Sequence, residues 1–533
     1  MISAMLSSRA GVWVVDVLSR ALEYGYELRG ALMLLVFLII WRLWRFTISP
    51  FLSPQQPREL PYWIPCHGID FFRNANSVLK RASIYFGESK DPFALTVFGS
   101  TLYIVTQPSH TNEVYKDAEN LSFESFVQSL MTTNGMSPSG LKAAYSPLPR
   151  DKAGFPNPHG ESLGVFVRQM NIHQLYPGKN LDDIDLRLSK WFDQHLHLAK
   201  VRSSSRGFAT SEKSRIVQLQ LFQWCSELLV EAAGEAYFGA LLANLQPDLA
   251  TSFLIFDDLG WQVLYQYPPF LTRKLASART KIKETFKRYF SIPKEQRSDA
   301  VWLITAVENE FREVRAGDDD VAALFFNVYW GINTNTRKVA FWMMAYLLRH
   351  PTLIDMIRDE TSPAFQGDTL IDPSYLWKEC PNLDAIWCET LRHCSNAASV
   401  RLASKDTCIG GKVIRQGNRV MIPYRLLHFD ESIYGDDIES FRPERFIEKG
   451  FSLTRGSSWR PFGGGKTMCT GRYAAKHSIF MFVATLLRRF DVTPVGEFKI
   501  PVADLGRPVL GIVSPEGDDD IQVEFSLRSQ ETK

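Results

Sequence analysis

Arg460-Pro461-Phe462-Gly463-Gly464-Gly465-Lys466-Thr467-Met468-Cys469-Thr470-Gly471-Arg472 is the stretch from which the rest of the chain is read. It fits F-x-x-G-x-x-x-C-x-G, a glycine-rich loop that delivers one cysteine to the start of a helix. Three successive glycines let the backbone turn tightly and approach a flat partner without a Cβ in the way. From Tyr473 to Phe490 the pattern is helical, which places Cys469 near a positive helix end that favours a thiolate. With the 36 Phe, 33 Gly and 7 Cys of this chain, the four fixed positions coincide by chance with a probability of about 0.002. A buried cysteine beside an ordinary turn is therefore the poorer reading.

No second cysteine or histidine stands at zinc spacing, so a lone thiolate in such a loop suits the axial ligand of a haem iron. At these residues the chain resembles the cytochrome P-450 family. Two further family segments occur in the expected order: Glu389-Thr390-Leu391-Arg392 and Pro443-Glu444-Arg445-Phe446. The spacing E-x-x-R alone says little, since Glu212/Arg215 and Glu439/Arg442 repeat it and most such pairs are solvated helix neighbours. Context separates Glu389/Arg392: Leu383, Ile386, Trp387 and Leu391 form an apolar helical stripe that turns the pair inward. The resemblance implies a buried Glu389–Arg392–Arg445 network bracing the haem loop, where Phe462, Gly465 and Gly471 shape the seat of Cys469. Buried charges are tolerable only when paired and hydrogen-bonded.

Within the stretch 319–350, which reads as one long helix ended by Pro351, lies Trp330-Gly331-Ile332-Asn333-Thr334-Asn335-Thr336. Many family members place an acid before a threonine here, the acid relaying protons and the hydroxyl serving bound oxygen. This chain has Asn333 in the acid's place, and an amide cannot carry a proton as a carboxylate can. Thr334 is the expected catalytic hydroxyl. The Asn-Thr pair resembles the branch of sterol 7α- and 12α-hydroxylases and prostacyclin synthase, as do Ala340-Phe341-Trp342, Ala397-Ala398-Ser399-Val400-Arg401 and Arg507-Pro508-Val509-Leu510-Gly511-Ile512. Thr467 replaces the basic residue that most families carry before the cysteine. The propionate charge then falls to Arg401 by matched position, with Arg460 as a second candidate. The resemblance places Phe326, Tyr329, Trp330, Ala398, Val400 and Leu510 on the wall of an apolar substrate pocket.

The chain has 533 residues, 45% hydrophobic and 22% charged, as a globular protein with a large core has. A net charge of +2 without a basic, aromatic-interleaved stripe argues against nucleic acid as a partner. Seven cysteines without framework spacing read as reduced thiols. The apolar run Ala31–Trp41, extended to about 28–44, reads as a transmembrane anchor within an amino-terminal segment 1–48. Pro50, Pro54, Pro57, Pro61 and Pro65 mark a semi-rigid linker over 49–66, and 67–533 form one catalytic domain. Arginines on both sides of the run leave the orientation undecided by charge.

Strands are expected at 93–98 and 101–106 as a hairpin, and short strands with turns at 413–423 and 509–525. Helices are expected at 219–238, 250–259 and 274–289, and loops at 146–164 and 200–215. The distribution is mainly helical with small β-sheets, as in the cytochrome P-450 fold. The resemblance implies a haem-dependent monooxygenase that uses O2 and electrons from NADPH-cytochrome P-450 reductase. It would oxidise a lipophilic, polycyclic substrate on the cytosolic face of the endoplasmic reticulum, held by a single-pass anchor. Lys466, Arg472 and Lys476 are candidate docking charges for the reductase. A haem-thiolate isomerase or dehydratase, and more remotely a non-enzymatic haem binder, are the alternatives.

Overall fold

The computed structural model describes residues 26–63, 66–87, 89–150, 154–204, 216–517 and 519–528. Its helices pack into one extensive apolar core that runs from Met136 to Phe525. A six-stranded sheet lies to one side, in the order 58–59, 93–97, 100–104, 419–423, 398–403 and 121–122. A three-stranded antiparallel sheet joins Ile216–Gln220 to Gln522–Leu527 and Phe490–Pro494.

The hairpin is present as Phe93–Val97 with Ser100–Ile104. Its turn is centred one residue earlier than Gly99-Ser100, because Phe98 and Gly99 both take positive φ (45° and 81°), the geometry that matches strand twist in a two-residue turn. Helices occur at Leu221–Phe238, Leu249–Asp258, Arg273–Ser291 and Arg472–Arg489. The short strands expected within 413–423 are Lys412–Ile414 and Arg419–Pro423, and they belong to different sheets. Within 509–525 one strand forms, Gln522–Leu527, preceded by isolated bridges at Ile512 and Pro515; the other described residues there form an irregular tip. The expected loop at 146–164 gives way to a helix from Leu163, and its residues 151–153 lie outside the described residues. The connection expected at 200–215 opens as the end of a helix, Leu198–Ser204; 205–215 lie outside the described residues.

The most consequential departure is in the long helix. It is two helices, Asp318–Asn333 and Thr336–Arg349, and Pro351 begins the next one. Polar side chains at the junction bond elsewhere in the protein: Thr334 donates to Asp257 (2.5 Å), and Asn335 Oδ1 accepts from the Ile512 N–H (2.9 Å). Side-chain bonds of this kind compete with helix continuity.

Arg29–Leu52 is long and apolar enough to cross a membrane, with mean hydropathy 1.9 and none of that window buried. Met33, Phe37 and Ile40 are each more than 60% exposed. The proline-rich segment is not the extended connector expected. Ser49–Leu52 is helical, Arg58–Glu59 pairs with Phe93–Ala94, and Gln55 accepts a backbone bond from Val413. Rings of Trp41, Phe46 and Tyr62 pack edge to face, and Arg45 pairs with Glu59 at 2.8 Å, so the end of the apolar helix is fastened to the domain.

Candidate active site

The cysteine loop is built against two tyrosines. Gly463 and Gly465 have φ of +75° and +59°, conformations that other residues adopt only under strain. At Gly464 a Cβ would stand 2.7 Å from the Tyr115 ring, and at Gly465 it would meet Tyr115 again at 3.0 Å. Tyr115 and Tyr424 bond through their hydroxyls at 2.8 Å. The glycines therefore serve close packing within the protein as well as the turn. The Cys469 N–H donates to the Phe462 carbonyl at 2.9 Å, which closes the loop. The Gly471 position begins the helix Arg472–Arg489.

Protein surrounds Cys469 on nearly every side, yet its surface is open, so it lines an interior space. Burial pushes its thiol up, while the Gly471 N–H and the Arg472 charge pull it the other way. Coordination to a cation would deprotonate it outright.

Two guanidiniums flank Tyr115. Arg401, 2% exposed, reaches Thr467 Oγ1 at 2.5 Å, and its Nε lacks an acceptor among the described residues. Arg460 reaches Asn112 Oδ1 at 2.7 Å. Burial draws the pKa of Arg401 down, and neither arginine has a carboxylate partner among the described residues. A thiol on an interior surface beside buried, uncompensated positive charge fits a haem with its propionates. Arg401 thus stands beside Thr467, the residue where sequence left the charge unmet.

Glu389, Arg392 and Arg445 are at most 1% exposed. Arg392 binds Glu389 through two bonds of 2.8 Å, and Arg445 adds one of 3.0 Å. Burial would raise Glu389, but hydrogen bonds from Arg392 and His393 outweigh it and hold the carboxyl at about 2. The link to the cysteine loop runs through His428, which sequence reasoning missed. Arg392 donates to the His428 carbonyl (3.2 Å), and the His428 ring accepts from the Arg460 N–H (2.9 Å).

That acceptor role requires a neutral ring. Burial, with the charges of Arg392 and Arg425, lowers His428 from 6.5 to about 3. A depressed folded-state value means the stabilisation is complete above pH 6.5 and is lost as pH falls toward 3. Glu389 adds a second loss only below its ordinary 4.5. The haem band of the purified protein is therefore expected to decay from below pH ~6.5, and His428→Gln, whose amide oxygen can take the same bond, to delay that decay. Superimposable pH curves would refute the coupling.

The oxygen-side pair needs correction. Thr334 is 3% exposed, and its hydroxyl is committed to Asp257. Asn333 is fully buried and donates to the Tyr329 carbonyl at 2.9 Å. The open face of the two helices is instead Asn327, Val328, Gly331, Ile332, Asn335 and Thr336. Bonds from Asn134 to Asn327 and from Ile512 to Asn335 span this face at its two ends, so it looks into the protein. The repeated Asn-Thr pair was the available signal: Asn335 follows Gly331 by one helical turn, and Asn333 does not.

The same phase moves three pocket candidates. Phe326, Tyr329 and Trp330 pack on Phe256, Phe253 and Phe238, in the core and away from the open face. Ala398, Val400 and Leu510 remain partly accessible. Among the docking candidates, Arg472 is held by the Cys469 carbonyl and Tyr176, and Lys476 pairs with Asp384 at 2.6 Å. Lys466 is exposed. Surface hollows beside Trp302 and beside Trp63 contain none of these residues.

The family model described as Cytochrome P450 matches residues 166–522. The chain is 26% identical to Cytochrome P450 monooxygenase poxD of Penicillium oxalicum, covering 88% of this chain and 93% of that one. It is 24% identical to Cytochrome P450 7B1 of Mus musculus over 87% and 89% of the two chains. It is also 26% identical to the 25-hydroxycholesterol 7-alpha-hydroxylase of Rattus norvegicus over 60% and 82%.

Proposed function

The chain belongs to the cytochrome P450 family, and from that membership we propose that it hydroxylates, or otherwise oxidises, a lipophilic and polycyclic molecule at a membrane surface. It is an oxidoreductase of the monooxygenase class with haem as its cofactor. The observation that carries the site is Cys469, an accessible thiol in a closed glycine loop with protein on nearly every side. In the proposed reaction RH, O2, NADPH and a proton become ROH, water and NADP+, and a separate reductase relays the electrons. When bound, haem ligated by thiolate supplies oxygen activation.

The residues act around that chemistry. Cys469 would hold the haem iron through its thiolate, and Phe462, Gly465 and Gly471 hold its loop. Arg401 and Arg460 would meet the haem propionates. Glu389, Arg392 and Arg445 brace the loop through His428. Thr336 is the proton-holding hydroxyl of the open face; its bonds to the Ile332 and Asn333 carbonyls are long, 3.3 and 3.4 Å, which leaves Oγ1 available. Asn335 is fixed beside it by Ile512. Aliphatic residues on the facing wall exclude water and orient the substrate by shape.

The names of the relatives, one of them a 25-hydroxycholesterol 7-alpha-hydroxylase, support a sterol-like or other polycyclic substrate. The helix Arg29–Leu52 serves as a single-pass anchor, and seven cysteines without a disulfide among the described residues suit a cytosol-facing domain on the endoplasmic reticulum.

The test uses the metabolite that accumulates in a strain lacking this gene. Product is expected only with NADPH and reductase. Thr336→Ala is expected to lower product by ~10²-fold, the scale of a positioned proton-transfer group, while NADPH consumption continues and hydrogen peroxide rises. Thr334→Ala should weaken the fold without that uncoupling. Full-rate product without NADPH would reject the monooxygenase in favour of an isomerase.

A further inference from the structure

The first of the two helices is sealed along most of its length. Leu324, Phe325, Phe326, Tyr329 and Trp330 are each at most 5% exposed. Asn327 lies on the open face with Val328 and Ile332. Its amide has one orientation: Nδ2 donates to the Ala323 carbonyl at 2.7 Å, which turns Oδ1 outward to accept from Asn134 Nδ2 at 2.8 Å. Asn134 ends the helix Glu124–Thr133 and is fully buried. Its own Oδ1 has no donor among the described residues.

Such an amide pair is an unfavourable way to fill this position. A buried acceptor without a donor costs its full desolvation, whereas two apolar side chains of the same shape would avoid that cost. The pair instead presents a polar atom at one end of a face whose next residues are Val328, Gly331 and Ile332. Asn327 Oδ1 has a second lone pair, and that lone pair can take a proton donor arriving from the open side. The six open-face residues are uncharged, so the fitting donor is neutral. Asn327 and Asn335 stand two helical turns, roughly 12 Å, apart. A substrate bound between them carries its donor at the end remote from the oxidised carbon.

We propose that Asn327, oriented by Asn134, is a specificity-determining residue that accepts a hydrogen bond from a substrate hydroxyl, so that the enzyme selects a fused-ring alcohol over its ketone. The ketone has the same shape but offers no donor, and reversing the Asn327 amide to serve it would place Oδ1 against the Ala323 carbonyl. The proposal rests on the haem-enzyme reading above and names the substrate class of that same site.

Full-length holoenzyme is titrated with 3-hydroxysteroids and triterpene alcohols, each paired with its ketone and its methyl ether, following the low- to high-spin change of the haem. Alcohols are expected to bind about tenfold more tightly than their partners, the scale of one net hydrogen bond. Asn327→Leu strands the Asn134 amide, so the decisive protein is the double variant Asn134→Val/Asn327→Leu, which removes both polar partners together. It should keep the carbon monoxide spectrum and lose the discrimination. Equal affinities in the unmodified protein, tighter ketones, discrimination that survives in the double variant, or no alcohol that binds would each overturn the proposal. A missing thiolate spectrum in the unmodified protein would instead bring down the haem reading beneath it.

Discussion

Cys469→Ala abolishes the red-shifted Soret band that the reduced, full-length protein is expected to show under carbon monoxide. The loss should be complete, because no neighbour can take over the ligand role. Cys388 and Cys394 are buried on the helix Pro381–Cys394, where burial pushes both thiols up. Among the described residues no group of three His, Cys, Asp or Glu side chains could hold a metal. The mutation itself is mild. Cys469 is already open, its backbone bond to Phe462 does not involve the side chain, and the glycine packing on Tyr115 and Tyr424 is untouched. Helical circular dichroism should thus stay near that of the unmodified protein while the band disappears. An unchanged band would show that another atom ligates the iron.

Legibility in the sequence followed the range of the interaction. The cysteine loop and Glu389/Arg392 are local patterns, and both stand where their spacing placed them. Arg401 was reached through its position after the E-x-x-R helix, and strand pairing carries it to Thr467. What sequence missed depends on helix phase or on distant partners. Asn333-Thr334 and Asn335-Thr336 are the same dipeptide, and only the break between two helices decides which pair faces inward. Phe326, Tyr329 and Trp330 are aromatic enough for a pocket wall and equally suited to the core, where they are. His428 belongs to no motif; it matters because its carbonyl and ring meet Arg392 and Arg460 from opposite sides. The irregular tip at 509–517 reads as short strands with turns by composition, yet its backbone bonds go to Cys394, Asn396 and a bridge at Ser395.

The cluster around Asp257 is the extreme case, and it gives the second large effect. Asp257 lies in the last turn of the helix Leu249–Asp258, and its buried carboxylate meets Arg337 at 2.6 Å, Lys338 at 3.0 Å, the Trp330 indole N–H at 2.8 Å and the Thr334 hydroxyl. Burial works to raise its pKa, but the charges of Lys338 and Arg337 and the Thr334 bond overcome it and hold the carboxyl well below its usual range. The same burial lowers Lys338 despite its partner. Asp257→Ala would leave two cations side by side, at most 4% exposed, with only the surface carboxylate of Asp258, among the described residues, to answer Arg337. Removing one member of a buried ionic group costs about 3–5 kcal/mol, a large part of the ~5–15 kcal/mol that holds a domain folded. The variant is expected to accumulate poorly and to shed haem on mild warming. The triple variant Asp257→Leu/Arg337→Met/Lys338→Met removes every charge together and should survive better than the single one, since apolar replacement of a whole buried ion group is often neutral. Thermal haem loss followed in parallel for the three proteins decides it. If Asp257→Ala keeps its haem as well as the unmodified chain does, the cluster does not lock the helix Leu249–Asp258 to the broken helix. The inward phase of Asn335 and Thr336 would then need another cause than the pull of Asp257 on Thr334.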